Sequence, residues 1–416
     1  MATNRLGIST GAFWPHTGTR DAPGLVARLG VRDVEVMLQS PEECQPAFAR
    51  KLGAAFDVVG AGVRSVHVKQ ALHPVFDDDP ARVMAGWELF DRAIETSVTL
   101  GAVLLVWHGP SRRHEPDVPG LMARFPAAAR RLAERCAAAG IRLTIENVSY
   151  CALPAVRDVR RYAGDLDARR DDRIGFTFDP FQAAEARANP FLMLAAMGGR
   201  LANVHLSDFR SGFGVAGRGI RHLPPGEGEL PWPALLRAVA SGHDGPLMLE
   251  SPLGPEPEDP FRRVAAFLEP LIAVARSDVL ACGDLPAGMR EGIALFNAGE
   301  YYAAHEVIEY EWHAERGPIR NLYQGILQIG IGIHHARNGN RSGAILKLTD
   351  GIAKVSGFRP VTAGIDTATL VEEAEAYLAA VRVAGRGADG LAAIPAPRIR
   401  VERSGDIRSG SSDAWG

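Results

Sequence analysis

Six short β-rich apolar runs in the 416-residue sequence end in a side chain able to bind a metal: His67, His108, Glu146, Asp179, His205 and Glu250. Neutral imidazole and carboxylate together suit Zn²⁺, Mn²⁺, Fe²⁺ or Co²⁺, and the lack of thiolates argues against a structural zinc knuckle. A single His or Glu at a strand end is commonplace as a hydrogen-bonded or surface group. Six in equivalent positions point to a common cause, because an unpaired acid is costly to bury without a cation or a hydrogen-bond partner. The expectation is a divalent metal centre of one or two ions.

Residues so far apart in sequence converge only if the fold brings strand ends together. Eight β-rich runs lie at 6–10, 33–38, 63–68, 102–107, 141–146, 173–178, 201–206 and 246–250. Helical patterns such as 80–100, 119–139, 232–240 and 261–275 alternate with them. That alternation is the mark of parallel β-α-β units, shared by closed barrels and open doubly wound sheets. The strand-end residues favour an α/β fold of the (β/α)8 TIM barrel type, whose C-terminal face gathers the ends of all its strands. After residue 276 the pattern is helical throughout, with Leu322, Ile326, Ile329 and Ile333 at helical spacing. The expected division is a catalytic barrel over 1–276, a small all-α helical domain over 284–395 and a disordered polar tail over 396–416.

Composition narrows the function. With 46% hydrophobic and 23% charged residues and a formal net charge of -3, the chain has no global positive field for holding a polyanion, so nucleic acid is not favoured. No secretory signal or membrane span is read, and a soluble cytoplasmic enzyme is expected. The four cysteines are widely spaced with no C-x-x-C pair, and read as reduced thiols.

Residues 5–275 resemble the xylose isomerase-like barrels, which include sugar phosphate isomerases and epimerases, inosose dehydratases and endonuclease IV. The resemblance rests on Ser65-Val66-His67, Trp107-His108-Gly109, Ile145-Glu146-Asn147, Phe178-Asp179-Pro180, Val204-His205-Leu206-Ser207-Asp208, the loop from His222 to Gly228, and Leu249-Glu250. It implies that Glu146, Asp179, His205 and Glu250 hold one divalent metal, with Glu146 and Glu250 also acting as catalytic acid and base. It further implies that His67 and His108, with Glu146 as a bridge, hold a second metal in the dinuclear branch. Where the endonuclease branch completes a third metal site with His and Asp, this chain has Gln182 and Ile220.

The reaction expected is isomerisation or epimerisation of a small polyhydroxylated substrate, with or without a phosphate, through an enediolate. Substrate-binding candidates are Trp14, Glu35, Lys69, Asp208, Arg218 and His222, with Arg112, Arg113 and Arg221 as further anion-binding groups. Retention of both His67 and His108 keeps a dinuclear hydrolase or a non-haem iron oxygenase open as a different class.

In the helical part, Phe296-Asn297-Ala298-Gly299, then His305-Glu306 with Glu309, then Gln324, Gln328, His334 and His335 resemble domain of unknown function 309. His305 and Glu309 stand one helical turn apart, and Gln324, Gln328 and His335 share a face of the next helix. A polar cluster of His305, Glu306, Glu309, Gln328 and His335 between two helices is expected. It would serve as a ligand site or a register-fixing network, and the domain is also a candidate for partner docking or homo-oligomerisation.

Overall fold

The computed structural model describes residues 4–69, 73–213, 219–240, 242–275, 279–280, 285–315, 319–383 and 394–401. The chain falls into two compact units, Met1–Trp232 with Val239–Ala275, and Pro233–Ala238 with Arg276–Gly416.

The first unit contains a closed parallel barrel of β1 (Leu6–Ser9), β2 (Asp33–Leu38), β3 (Gly62–Val68), β4 (Leu104–Trp107), β5 (Arg142–Glu146), β6 (Ile174–Phe178), β7 (Leu201–Leu206) and β10 (Leu247–Leu249). The ring closes where β1 pairs with β10, Leu6 opposite Leu247. An antiparallel hairpin, β8 (Asp208–Phe213) and β9 (Gly219–Leu223), follows β7 and was not foreseen from the sequence. The helices in chain order are α1 (Ala22–Leu29), α2 (Pro46–Val58), α3 (Pro80–Thr99), α4 (Val118–Ala138), α5 (Val156–Arg169), α6 (Pro180–Glu185), α7 (Pro190–Met197), α8 (Trp232–Ala240) and α9 (Glu258–Val274).

Strand periodicity explains why polar groups collect on the barrel axis. Successive side chains on a strand point to opposite faces, so residues two apart share the interior. On β3 these are Ser65 and His67, on β5 Thr144 and Glu146, on β7 Asn203 and His205, and all six are buried. The lower members form a polar layer, in which the Thr144 and Thr177 hydroxyls lie 2.8 Å apart. The upper members form the floor of the mouth. The intervening residues, Val66, Ile145, Val204 and Leu206 among them, are buried in the apolar layer outside the barrel wall.

The second unit carries α10 (Ala287–Ala298), α11 (Tyr301–Ala314), α12 (Arg320–Arg337), α13 (Arg341–Ser356) and α14 (Thr367–Val383). Three two-residue strands, β11 (Val279–Leu280), β12 (Val361–Thr362) and β13 (Ile365–Asp366), add a small sheet to the expected helices. Leu322, Ile326, Ile329 and Ile333 are fully buried along α12, which makes the helical spacing in the sequence a core stripe. Glycines at 325, 332 and 351 let α12 and α13 approach closely, since a Cβ on Gly351 would meet the Gly325 carbonyl at 2.7 Å.

One expectation about the tail needs correction. Residues 397–401 are held in place: Asn297 donates to the Ile399 carbonyl and accepts from its N–H, and Arg400 pairs with Glu373. Ile399 is the apolar residue that makes this segment worth docking, at 3% exposed. Residues 402–416 lie outside the described residues.

Candidate active site

The barrel brings His67, His108, Glu146, Asp179, His205 and Glu250 to one mouth. Glu146, Asp179, His205 and Glu250 offer ligand atoms that all lie within 4.8 Å of one another, and His67, His108 and Glu146 form a second such group sharing Glu146. Among the described residues, every group competent to hold a metal is in the barrel. In this cluster Glu146 Oε2, His205 Nδ1 and Glu250 Oε2 are buried without a well-formed hydrogen bond, although the last two face each other as an ion pair. Buried polar atoms are ordinarily satisfied, so three such atoms converging with mixed N/O chemistry fit a divalent cation.

Each group is aimed by its neighbours. The Asp179 carboxylate accepts from the Gln182 N–H at the start of α6 and from Ser207 Oγ at 2.8 Å. The Asp179 backbone is gripped from both sides by the Asn147 amide, which accepts from its N–H and donates to its carbonyl. His108 Nε2 lies 3.2 Å from Glu146 Oε2 and 2.6 Å from His67 Nε2. Gly109, at φ 72°, allows the next step of the chain, because a Cβ there would stand 2.5 Å from Ala152 Cβ.

Acids and imidazoles in this cluster shift one another in opposite directions. Burial disfavours the His67 imidazolium, but Glu250 and Glu35 outweigh it and push its pKa up to about 10. His205 is raised well above the usual range by the same contest, with Glu250, Glu35 and Glu146 opposing burial. Burial would raise Glu146 and Glu250, yet the histidines hold both below the ordinary carboxylate range. Asp179 goes the other way, pushed up to about 7 by burial and then by Glu146. A divalent cation would replace the imidazole protons, since His binds metal in its neutral form.

Several substrate candidates take different places from those expected. Glu35 does not line the mouth: it is fully buried and accepts from Ser65 Oγ at 2.7 Å and Asn203 Nδ2 at 3.0 Å. Its register explains this, for β2 and β3 pair Glu35 with Ser65, in the layer beneath His67. Asp208 is likewise unavailable to substrate. Its two oxygens accept from the N–H groups of Phe209, Gly226, Gly228, Glu229 and Leu230 and from Trp232 Nε1, which folds the loop after β9 around one buried carboxylate. Arg218 lies outside the described residues. Arg112 donates to the Ala152 carbonyl, and Arg113 stacks 3.7 Å above the Tyr150 ring, so both are committed to loop structure.

Trp14 and Lys69 remain at the rim. Trp14 is 48% exposed, and Lys69 Nζ lies 4.9 Å over its ring. His222, on β9, stacks flat on Phe181 with ring centroids 4.0 Å apart, and its buried Nε2 has no partner. Burial lowers its pKa to about 4, so the ring is neutral despite the nearby Glu250, Glu185 and Glu146. Sequence reasoning quoted Ser65, Asn147 and Ser207 only as motif neighbours with no role of their own, and missed Asn203. Ser65 and Asn203 were findable by stepping back two residues from His67 and His205.

The polar cluster expected between the helices of the second unit does not assemble as one network. Gln328 Oε1 instead accepts from Lys354 Nζ of α13 at 2.8 Å. Glu309 faces His313 at 3.9 Å on its own helix, Glu306 is exposed, and His335 lies 3.5 Å from Asn340. His305 Nδ1 is buried without a partner. The reason is rotational: Gln328 turns toward α13, where the ammonium offers a charge-assisted bond.

An eight-stranded parallel barrel with a carboxylate and imidazole cluster at its C-terminal mouth defines a class of barrel enzymes. The chain belongs to the xylose isomerase-like TIM barrel family, whose family model matches residues 24–271, and a second model, domain of unknown function 309, matches residues 289–346. A ketose 3-epimerase of Arthrobacter globiformis is 24% identical over 181 residues, which is 42% of this chain and 59% of the epimerase. The chain thus aligns with little more than half the length of that relative. Among solved structures, an L-ribulose 3-epimerase matches with a TM-score of 0.54 at 20% identity, over 66% of this chain and 96% of its own. A D-allulose 3-epimerase from Methylomonas sp. matches with a TM-score of 0.53 at 19% identity, over 65% and 98%. Among the described residues no helix is long and apolar enough to cross a membrane.

Proposed function

We propose that the barrel is a divalent-metal-dependent isomerase or epimerase of a small polyhydroxylated ketose or its phosphate. The observation that carries this reading is the convergence of the buried Glu146, Asp179 and His205 with the half-buried Glu250. Sugar epimerases with the same barrel support it. Glu146, Asp179, His205 and Glu250 would hold the metal, which when bound polarises the substrate carbonyl and stabilises the enediolate. Glu250, whose side chain is 12% exposed, would take the proton α to the carbonyl, and the deeper Glu146 would return it. His222 offers a neutral imidazole to a substrate hydroxyl, and the Trp14 face with Lys69 closes the rim. We assign this chemistry to a barrel domain of about 1–276 and leave partner docking or self-association to the helical domain of about 284–395.

The test is incubation of Mn²⁺- or Co²⁺-loaded protein with ketopentoses, ketohexoses and their phosphates in D₂O. Deuterium uptake at the carbon next to the carbonyl, abolished in Glu250→Gln, is the expected result. A metal-loaded protein that exchanges no proton on any of them would overturn the reading. The 2.6 Å approach of His67 and His108 beside Glu146 favours a second reading, a dinuclear hydrolase or a non-haem iron oxygenase.

A further inference from the structure

Glu35 touches two candidate metal-binding histidines at once and by opposite ring nitrogens. Its carboxylate lies 3.0 Å from His205 Nε2 and 3.2 Å from His67 Nδ1. We propose that Glu35 is a positioning residue whose single carboxylate decides which nitrogen of both His205 and His67 faces the metal centre.

An ionised carboxylate only accepts hydrogen bonds, so each nitrogen it faces must carry a proton. When a divalent cation displaces the second proton of each ring, the lone pairs therefore fall on His205 Nδ1 and His67 Nε2. These are the atoms aimed at the mouth: His205 Nδ1 pairs with Glu250 Oε2 and lies 3.4 Å from Glu146 Oε1, and His67 Nε2 lies 3.4 Å from Glu146 Oε2, while Glu250 Oε1 stands 3.4 Å from His67 Nδ1 beside Glu35. Rotating either ring would put a lone pair against a buried carboxylate. Glu35 is itself pinned by Ser65 Oγ and Asn203 Nδ2, which use up its remaining acceptor capacity. Those bonds also argue against Glu35 as a ligand, although its oxygens lie close enough to His67, His205 and Glu250 to form a group. His205 belongs to the group with Glu146, Asp179 and Glu250, and His67 to the group with His108 and Glu146, so one buried side chain orients a histidine of each. An imidazole whose far nitrogen donates to a carboxylate is also the more basic ligand, an effect on the order of 10–100-fold in metal affinity.

This inference rests on the metal-centre part of the reading above and on no sugar chemistry, so its tests use Co²⁺ or Zn²⁺ alone. Titration with Co²⁺, followed by its visible absorption, should show Glu35→Gln binding roughly 10–100-fold more weakly than wild type with an altered band pattern. Glu35→Asp should recover part of both. Unchanged affinity and an unchanged spectrum in Glu35→Gln would overturn the proposal, as would wild type that takes up no Co²⁺. If Glu35→Gln does not fold, ¹⁵N-histidine NMR of the Zn²⁺-loaded wild type decides. The expected protons are on Nε2 of His205 and Nδ1 of His67, and a proton on Nδ1 of His205 refutes it. Metal binding with these tautomers but without ketose turnover would sink the isomerase reading and leave this one standing.

Discussion

His67 Nε2 and His108 Nε2 lie 2.6 Å apart, with Glu146 Oε2 within 3.4 Å of the first and 3.2 Å of the second. Nitrogens that close share a proton or face a common cation. Removing His108 leaves the Glu146, Asp179, His205 and Glu250 group whole. His108→Ala purified without chelator should therefore keep about one ion per chain, whereas Glu146→Gln, which damages both groups, should lose it. Elemental analysis reads the result. Two ions in wild type, falling in both variants, would move the assignment to the dinuclear alternative.

Asp208 accepts from six donors, four of them backbone N–H groups of the loop between β9 and α8, and Gly228 must lack a side chain because a Cβ would stand 2.2 Å from Asp208 Oδ1. Asp208→Ala should lower stability by about 3 kcal/mol, since it strands several buried donors together. Gly228→Ala should cost stability as well, by steric displacement of the same carboxylate. Urea denaturation of both variants tests this. An Asp208→Ala midpoint equal to wild type would show that water replaces the carboxylate.

Lys354 is 5% exposed, and burial lowers its pKa to about 8. The unfolded chain keeps that proton to about pH 10.5, so between the two values the unfolded state binds more protons and stability rises with pH. Below pH 8 the burial cost is fully present, on the order of 2 kcal/mol after the Gln328 bond is credited. Lys354→Met should be more stable than wild type at pH 7, with the advantage shrinking toward pH 10. Denaturation at the two pH values separates this from a simple packing gain, which would not vary.

His222 is neutral above about pH 4, so it should contribute no inflection to a rate profile between pH 5 and 9. His222→Phe preserves the stack on Phe181 and deletes the unpartnered Nε2. If that atom meets a substrate hydroxyl, KM should rise about tenfold with a smaller change in kcat, the worth of one hydrogen bond. An unchanged KM would return His222 to a purely structural role.

The barrel, its eight strands and the residues at their ends were legible because strand ends and metal-binding side chains coincide in the sequence. What escaped was depth along each strand. Glu35 reads as a strand-end acid, but its register with Ser65 drops it one layer below His67, and only pairing fixes that. Asp208 follows a candidate ligand so closely that it reads as part of the site. Its true surroundings come from a loop up to 22 residues further on, tied by backbone N–H groups that carry no sequence signature. The helical domain shows the same limit: spacing put Gln328 and His335 on one face of α12, but which neighbour that face meets depends on helix rotation. Hence Lys354, absent from the expected cluster, became the partner of Gln328.

The seam of the barrel joins Leu6 to Leu247, the first strand to the last. A ribosome emits β1 long before its partner exists, so an unfinished chain carries two raw sheet edges able to recruit other chains. Closure must wait for nearly the whole first unit to be synthesised. Production of this protein should therefore depend more on slow translation, low temperature and chaperone supply than its final stability suggests, and deletions ending before β10 should yield aggregates rather than smaller barrels.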